Sequence, residues 1–284
     1  MSRTVSLNVL RAGWCKHLEC MADSDGRWAP IRFPALCGLI RHPHAGWLLY
    51  DTGYAEHFFK ATQALPERLY RGAVPVQLPA KEQLLAQLKA FGIGPNDIRT
   101  VIISHFHSDH IAGLRDFPEA SFIALDADRR HIESLRGHRW RATLGGHLPA
   151  LLPDDFGARL TLADACKSAA LPEWMAPFSL GLDLLGDGSL IGVPLPGHSA
   201  GQLGLFIPDA QGRPVFLIAD ACWSVPACRA KRLPAPPALW FASHDANQYR
   251  QTYSDLGILI RREPAVAVLP SHCAQAWEAF SNEQ

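Results

Sequence analysis

The sequence is poor in the features that mark proteins for export or for a membrane. Its seven cysteines (Cys15, Cys20, Cys37, Cys166, Cys222, Cys228 and Cys273) are odd in number and include no CxxC pair. That argues against a disulfide scaffold and predicts a reducing compartment. The opening residues, MSRTVSLNVLRAG, lack the long apolar stretch of a signal peptide. No segment reaches the ~20 apolar residues that a membrane helix needs. Neither sign of charge prevails, with 27 basic residues against 27 acidic ones. No global field therefore draws in nucleic acid or an anionic lipid surface. Solenoid repeats and low-complexity tracts are also missing. The expectation is a soluble, cytoplasmic protein with neither nucleic-acid nor membrane partners.

What is there is a core and a surplus of histidine. Apolar residues make up 48% of the 284 positions and charged ones 19%, which excludes a disordered chain. Short apolar runs ending at turn signals predict strands at Thr4–Arg11, Ala35–Arg41, Trp47–Asp51, Arg99–Ser104, Ser121–Leu125, Ser189–Pro194, Gly204–Ile207, Val215–Ala219 and Ala265–Leu269. Helical spacing predicts helices over Ala80–Phe91, Ala127–Leu135 and Ala246–Arg262. This interleaving argues for a single α/β domain over 1–284 with mixed sheets. Two stretches interrupt it: an irregular, proline- and aromatic-rich excursion at 54–79, and a lid or cap insertion at about 136–180.

Histidine occurs thirteen times, and its placement carries the chemistry. After the strand that ends at Ser104 come His105-Phe106-His107-Ser108-Asp109-His110. Alternate side chains of an extended segment point the same way, so His105 and His107 can share one metal ion. A helix starting at Ser108 or Asp109, with Ser108 as its N-cap, would swing Asp109 and His110 towards a second ion. Imidazole and carboxylate donors without thiolates suit zinc, and also iron or manganese. Downstream, His198 lies in PLPGHSAG after an apolar strand, Asp220 ends FLIAD, and His272 follows VAVLPS. Strand ends of this kind are where an α/β sheet offers side chains to a cleft. His244 competes with His272 for the last place but precedes a helix, so His272 is preferred. The other histidines, His17, His42, His44, His57, His131, His138 and His147, are expected to be solvated, and Cys222 and Cys273 to be packing residues.

Taken together, LLYDTG, SHFHSDH, PGHSAG, LIADA and the terminal PSH resemble the metallo-β-lactamase superfamily, in the right order and over nearly the whole chain. The resemblance implies an αββα sandwich of two mixed β-sheets flanked by helices. It implies one metal on His105, His107 and His198, a second on Asp109, His110 and His272, and Asp220 bridging both. Asp51 would orient ligands without touching metal. The implied reaction is hydrolysis by a metal-bridging hydroxide, with two divalent ions, zinc first, and Asp109 orienting the hydroxide or carrying its proton.

Within the superfamily the chain is most similar to the lactonases, including those acting on acyl homoserine lactones. One departure is Trp223, three residues after Asp220, where such lactonases often place a tyrosine that hydrogen-bonds the substrate carbonyl. An indole N–H donates but cannot accept, and the ring could equally be a pocket wall. The expected substrate is a small, neutral, partly apolar ester, with Trp140, Trp174, Met175 and Phe178 of the lid and Phe58, Phe59 and Tyr70 of the excursion as apolar wall, or alternatively as core or homodimer interface. Three other readings remain at this point. One is a thioesterase of the hydroxyacylglutathione hydrolase type, with Arg229, Lys231 and Arg232 receiving the glutathione carboxylate. The others are a mononuclear iron dioxygenase and a non-catalytic metal-binding sensor.

Overall fold

A computed structural model describes residues 4–241 and 243–282. Among these, two mixed sheets pack face to face. The first sheet runs in the order Val76–Gln77, Ser6–Leu18, Pro30–His42, Gly46–Tyr50, Ile98–Ile102, Ser121–Ala124, Leu160–Leu162. Its pairings are antiparallel up to Gly46–Tyr50 and parallel beyond. The second runs Ala267–Pro270, Arg213–Ala219, Leu203–Ala210, Ile191–Pro194, Leu180–Asp183, Lys167–Ala170, with one parallel pair, between the first two. The sandwich expected from the sequence is the fold observed.

The central strands have no polar face because both of their faces are covered. In Arg213–Ala219, Val215, Leu217 and Ala219 enter the core between the sheets, while Phe216 and Ile218 enter the outer core under the helix Ala246–Arg262. Leu48 and Tyr50 likewise face the second sheet, whereas Leu49 joins Val101, Phe106, Phe117 and Phe122 on the other side. Period-two alternation thus sorts one apolar run into two cores. Backbone bonds also tie the sheets together at the end where the strands of interest stop: Leu203 N donates to Ser104 O (2.8 Å) and Leu36 N to Ser271 O (3.1 Å).

Several sequence-based boundaries move. The first two strands are longer than expected, Ser6–Leu18 and Pro30–His42, because they pair with each other across a register shift between Arg11 and Trp14. The helix expected over Ala80–Phe91 is a 3-10 turn, Ala80–Glu82, followed by Leu84–Ala90. Residues 160–183 supply two edge strands, Leu160–Leu162 and Lys167–Ala170, and the strand Leu180–Asp183 beside the second of them, and Trp174, Met175 and Phe178 pack on the outer core around Phe206 and Phe216. These three aromatic or thioether side chains are therefore core and not cavity wall. Phe58 and Phe59 are in the first core. Among the described residues, no helix is long and apolar enough to cross a membrane.

Candidate metal centre

The strand ends Tyr50, Ile102, Pro194, Ala219 and Pro270 open on one edge of the sandwich, and each hands on a chemically active residue. Two of these turns have left-handed backbone at residues other than glycine: Asp51 (φ 59°) and Ala219 (φ 46°). Left-handed geometry is rare for a residue with a Cβ. It turns the chain sharply where Asp51 and Asp220 must face the same space. At Gly197 (φ 125°) the turn passes so close to the helix Ala246–Arg262 that a Cβ would stand 2.1 Å from Tyr249 N. His198 follows directly.

The donor atoms of all seven residues converge in two groups, His105, His107, His198 and Asp220 in one, and Asp109, His110 and His272 in the other, with the atoms of each within 4.8 Å of one another. His107 Nδ1 faces His105 Nε2 at 3.0 Å and His198 Nε2 at 2.9 Å. Asp220 lies between the groups: Oδ1 is 3.3 Å from His110 Nε2, and Oδ2 is 3.3 Å from His198 Nε2 and 3.1 Å from His272 Nε2. His272 Nε2 is also 3.3 Å from Asp109 Oδ2.

Around this set a further layer fixes ring orientation. Asp51 Oδ2 pairs with His110 Nδ1 at 2.8 Å, and its Oδ1 accepts from Ser104 N at 2.8 Å. The Ser104 hydroxyl donates to Asp51 Oδ2 at 2.7 Å and lies 3.0 Å from His105 Nδ1. His272 Nδ1 donates to Pro34 O at 2.7 Å, which leaves Nε2 with its lone pair facing the site. Asp128, on the helix Asp126–Ser134, accepts from Phe106 N at 3.0 Å and so holds the His105–His107 segment from behind.

Do these residues fit a metal pair? Three imidazole nitrogens point at one another, and each neutral ring has a single N–H to give. His110 Nε2 and Asp220 Oδ1 are buried without a hydrogen bond. Convergent lone pairs and orphaned donors are costly unless a cation satisfies them. The same neighbours set the charge states of the donors. Burial and the adjoining imidazoles hold His105 and His107 well below the ordinary histidine range. Burial pulls His110 down too, but Asp220, Asp51 and Asp109 outweigh it and hold it well above. Burial pushes Asp220 up, yet His272, His110 and His198 keep it well below the carboxylate range. The donor set fits two divalent ions.

Above it lies a cavity of about 430 Å³ with Phe33, Tyr54, Leu69, Tyr70, Trp140 and Leu144 in its walls. Among the described residues, no arginine or lysine lines it. Arg229, Lys231 and Arg232 are elsewhere: Arg232 pairs with Asp23 at 2.7 Å, and Arg229 lines a separate depression with Arg213. Trp223 lines the cavity, but its indole N–H donates to Asp220 Oδ2 at 3.1 Å. Ser108 does not cap its short helix with its side chain; its hydroxyl sits 3.0 Å from Tyr70 Oη in the cavity wall. Sequence reasoning had no signal for Cys15 or His17, which also line the cavity, or for Asp128 and Ser104. Burial pushes the Cys15 thiol up to about 12, and burial likewise raises Cys273, so neither offers a thiolate. His42 and His147, expected in solvent, are buried.

Residues 30–272 match the family model described as the metallo-beta-lactamase superfamily. The chain is 29% identical over 280 residues to an N-acyl homoserine lactonase AttM of Azorhizobium caulinodans, covering 97% of this chain and 96% of the relative. It is 27% identical over 219 residues to an N-acyl homoserine lactonase AiiB of Agrobacterium fabrum, covering 74% and 69%. Among solved structures, it superposes with a TM-score of 0.72 and 18% identity, covering 97% and 96%, on an N-acyl homoserine lactone hydrolase with the product N-hexanoyl-L-homoserine at its catalytic metal centre. The dizinc quorum-quenching lactonase AidC gives a TM-score of 0.65 at 16% identity, covering 97% and 89%.

Proposed function

The chain belongs to the metallo-beta-lactamase superfamily, and from that premise we propose that it is a two-metal lactonase acting on a neutral ester with an apolar acyl group. The observation that carries the reading is the donor set itself: both groups share Asp220, at the floor of a cavity that no arginine or lysine lines among the described residues. A mononuclear iron enzyme would leave part of the second group unused, and a glutathione thioester would want cations that the cavity does not line up. The full-length resemblance to proteins named N-acyl homoserine lactonases supports a lactone as the ester.

His105, His107 and His198 would hold one ion, Asp109, His110 and His272 the other, and Asp220 both. When bound, such ions polarise the ester carbonyl and lower the pKa of a shared water towards neutrality. The chain's own contribution is orientation and proton transfer. Asp51 and Ser104 fix the rings of His110 and His105, and the Pro34 carbonyl fixes the tautomer of His272. Asp109, which is partly open to the cavity, is assigned the proton that the departing ring oxygen must receive. Trp223 is assigned to steadying Asp220, since its N–H is already given to that carboxylate. Phe33, Leu69, Trp140 and Leu144 exclude water and receive the acyl chain.

The test is a panel of lactones of increasing acyl length, a thioester and a phosphodiester of similar size, each with and without chelator. Each methylene buried in the cavity contributes ~0.8 kcal/mol, or roughly fourfold in kcat/KM, until the cavity is full. A preference for the phosphodiester would overturn the lactone reading. Absence of turnover on every substrate by metal-loaded protein would favour the sensor.

A further inference from the structure

Three histidines outside the seven-residue set gather beside His107. His147 follows the helix Arg139–Leu144, and its backbone pairs with His107 in an isolated antiparallel bridge. His131 is on the helix Asp126–Ser134, and His244 lies just before Ala246–Arg262. Ring centroids are 4.6 Å apart for His107 and His147, 5.1 Å for His147 and His131, and 4.8 Å for His131 and His244. The imidazoles of the inner group are 4.7 to 4.9 Å apart. The outer rings therefore form a row with neighbouring centroids close to the inner ring spacing.

The three line a second cavity, of about 190 Å³, which meets the first at His107, Gly145 and His198. His147 is 6% exposed, and neither of its ring nitrogens reaches a hydrogen-bond partner. A buried imidazole left so is costly unless something occupies its lone pair or takes its proton. No carboxylate lines this cavity among the described residues. Magnesium and calcium, which want oxygen donors, are poor candidates, whereas imidazole suits zinc and its neighbours in the first transition row.

We propose that His131, His147 and His244 form a third metal site, for a divalent transition ion such as Zn²⁺, next to the two-group centre. Their donor atoms are not drawn within the 4.8 Å that each inner group reaches, so binding includes a rotation of the half-buried His131 or of the exposed His244. The site is weaker than the inner pair, because it has no carboxylate and Arg141 stands at its wall. A small anion held by Arg141 and the imidazoles is the competing occupant.

The test uses metal-stripped full-length protein dialysed against rising free Zn²⁺ at about pH 7.5, with bound equivalents counted by elemental analysis. His131→Gln and His244→Asn should each bind one equivalent fewer than wild type, and the equivalent lost should be the weakest. His138→Gln, an exposed histidine on the same stretch, should lose none. The result is a difference between variants, so it stands whether the inner centre holds two ions or one. Equal counts in wild type and both variants would overturn the proposal, as would the same loss in His138→Gln. Inorganic phosphate that binds wild type but not the variants, with zinc counts unchanged, would replace it with an anion site.

Discussion

The first sheet delivers four donors from six consecutive residues, His105 to His110, whereas the second delivers His198, Asp220 and His272 from three separate strand ends. The two halves are also held differently. Side chains brace the first: Asp51, Ser104 and Asp128 bond to its rings and its backbone. Main chain largely braces the second: Pro34 O accepts from His272, His244 N donates to His198 O at 3.0 Å, and Asp245 N donates to Gly197 O at 3.0 Å, with the Trp223 indole on Asp220 as the side-chain addition. Side-chain substitutions and pH should therefore disturb the first half, and backbone changes the second.

The largest effect should come from deleting a donor in either half. His107→Ala and His272→Ala should each lower kcat/KM beyond the roughly 10–100-fold that loss of an outer partner costs, with reduced zinc content by elemental analysis. Equal loss from both halves would show that the centre works as a unit. Asp51→Ala should come next, with zinc affinity down about 10–100-fold in a competition titration, because His110 and Ser104 lose their common acceptor.

Gly197→Ala probes the second half. A methyl group there meets Tyr249 N and cannot share the left-handed turn, so thermal denaturation should show a loss of about 3 kcal/mol. Asp128 probes the first half by pH. Burial raises its carboxyl to about 6 from 3.8, with the hydrogen bond from Phe106 N opposing only in part. Folding therefore favours the protonated form: the contribution is complete below 3.8 and is lost as pH rises through about 6. Chemical denaturation of metal-free protein should show Asp128→Asn gaining on wild type by about 3 kcal/mol from acid to neutral pH. A constant difference would mean that folding leaves the Asp128 pKa where it stands in the unfolded chain. The smallest effect is expected from Trp223→Phe, a few-fold fall in kcat with KM unchanged, since only one bond to Asp220 is lost.

The same contrast explains what could be read from the sequence. Alternation and turn signals are local, so the central strands and the residues at their ends were legible. The HxHxDH order was legible for the same reason. Asp128 and His147 were not, because 21 and 40 residues of sequence separate them from His107 and only packing returns them to it. The strands Lys167–Ala170 and Leu180–Asp183, at and next to the edge of the second sheet, have little apolar alternation, and their assignment depends on a neighbour that sequence does not name. Trp174 and Phe178 misled because an aromatic in a loop reads alike whether it faces a cavity or a sheet.

The central claim is that Asp220 joins two complete donor groups into one centre. Equilibrium dialysis at free zinc low enough to leave weaker sites empty tests it most directly. Wild type should hold two tightly bound equivalents, and Asp220→Asn should weaken both. A single tight equivalent in wild type, or a variant in which only one of two is weakened, would contradict it.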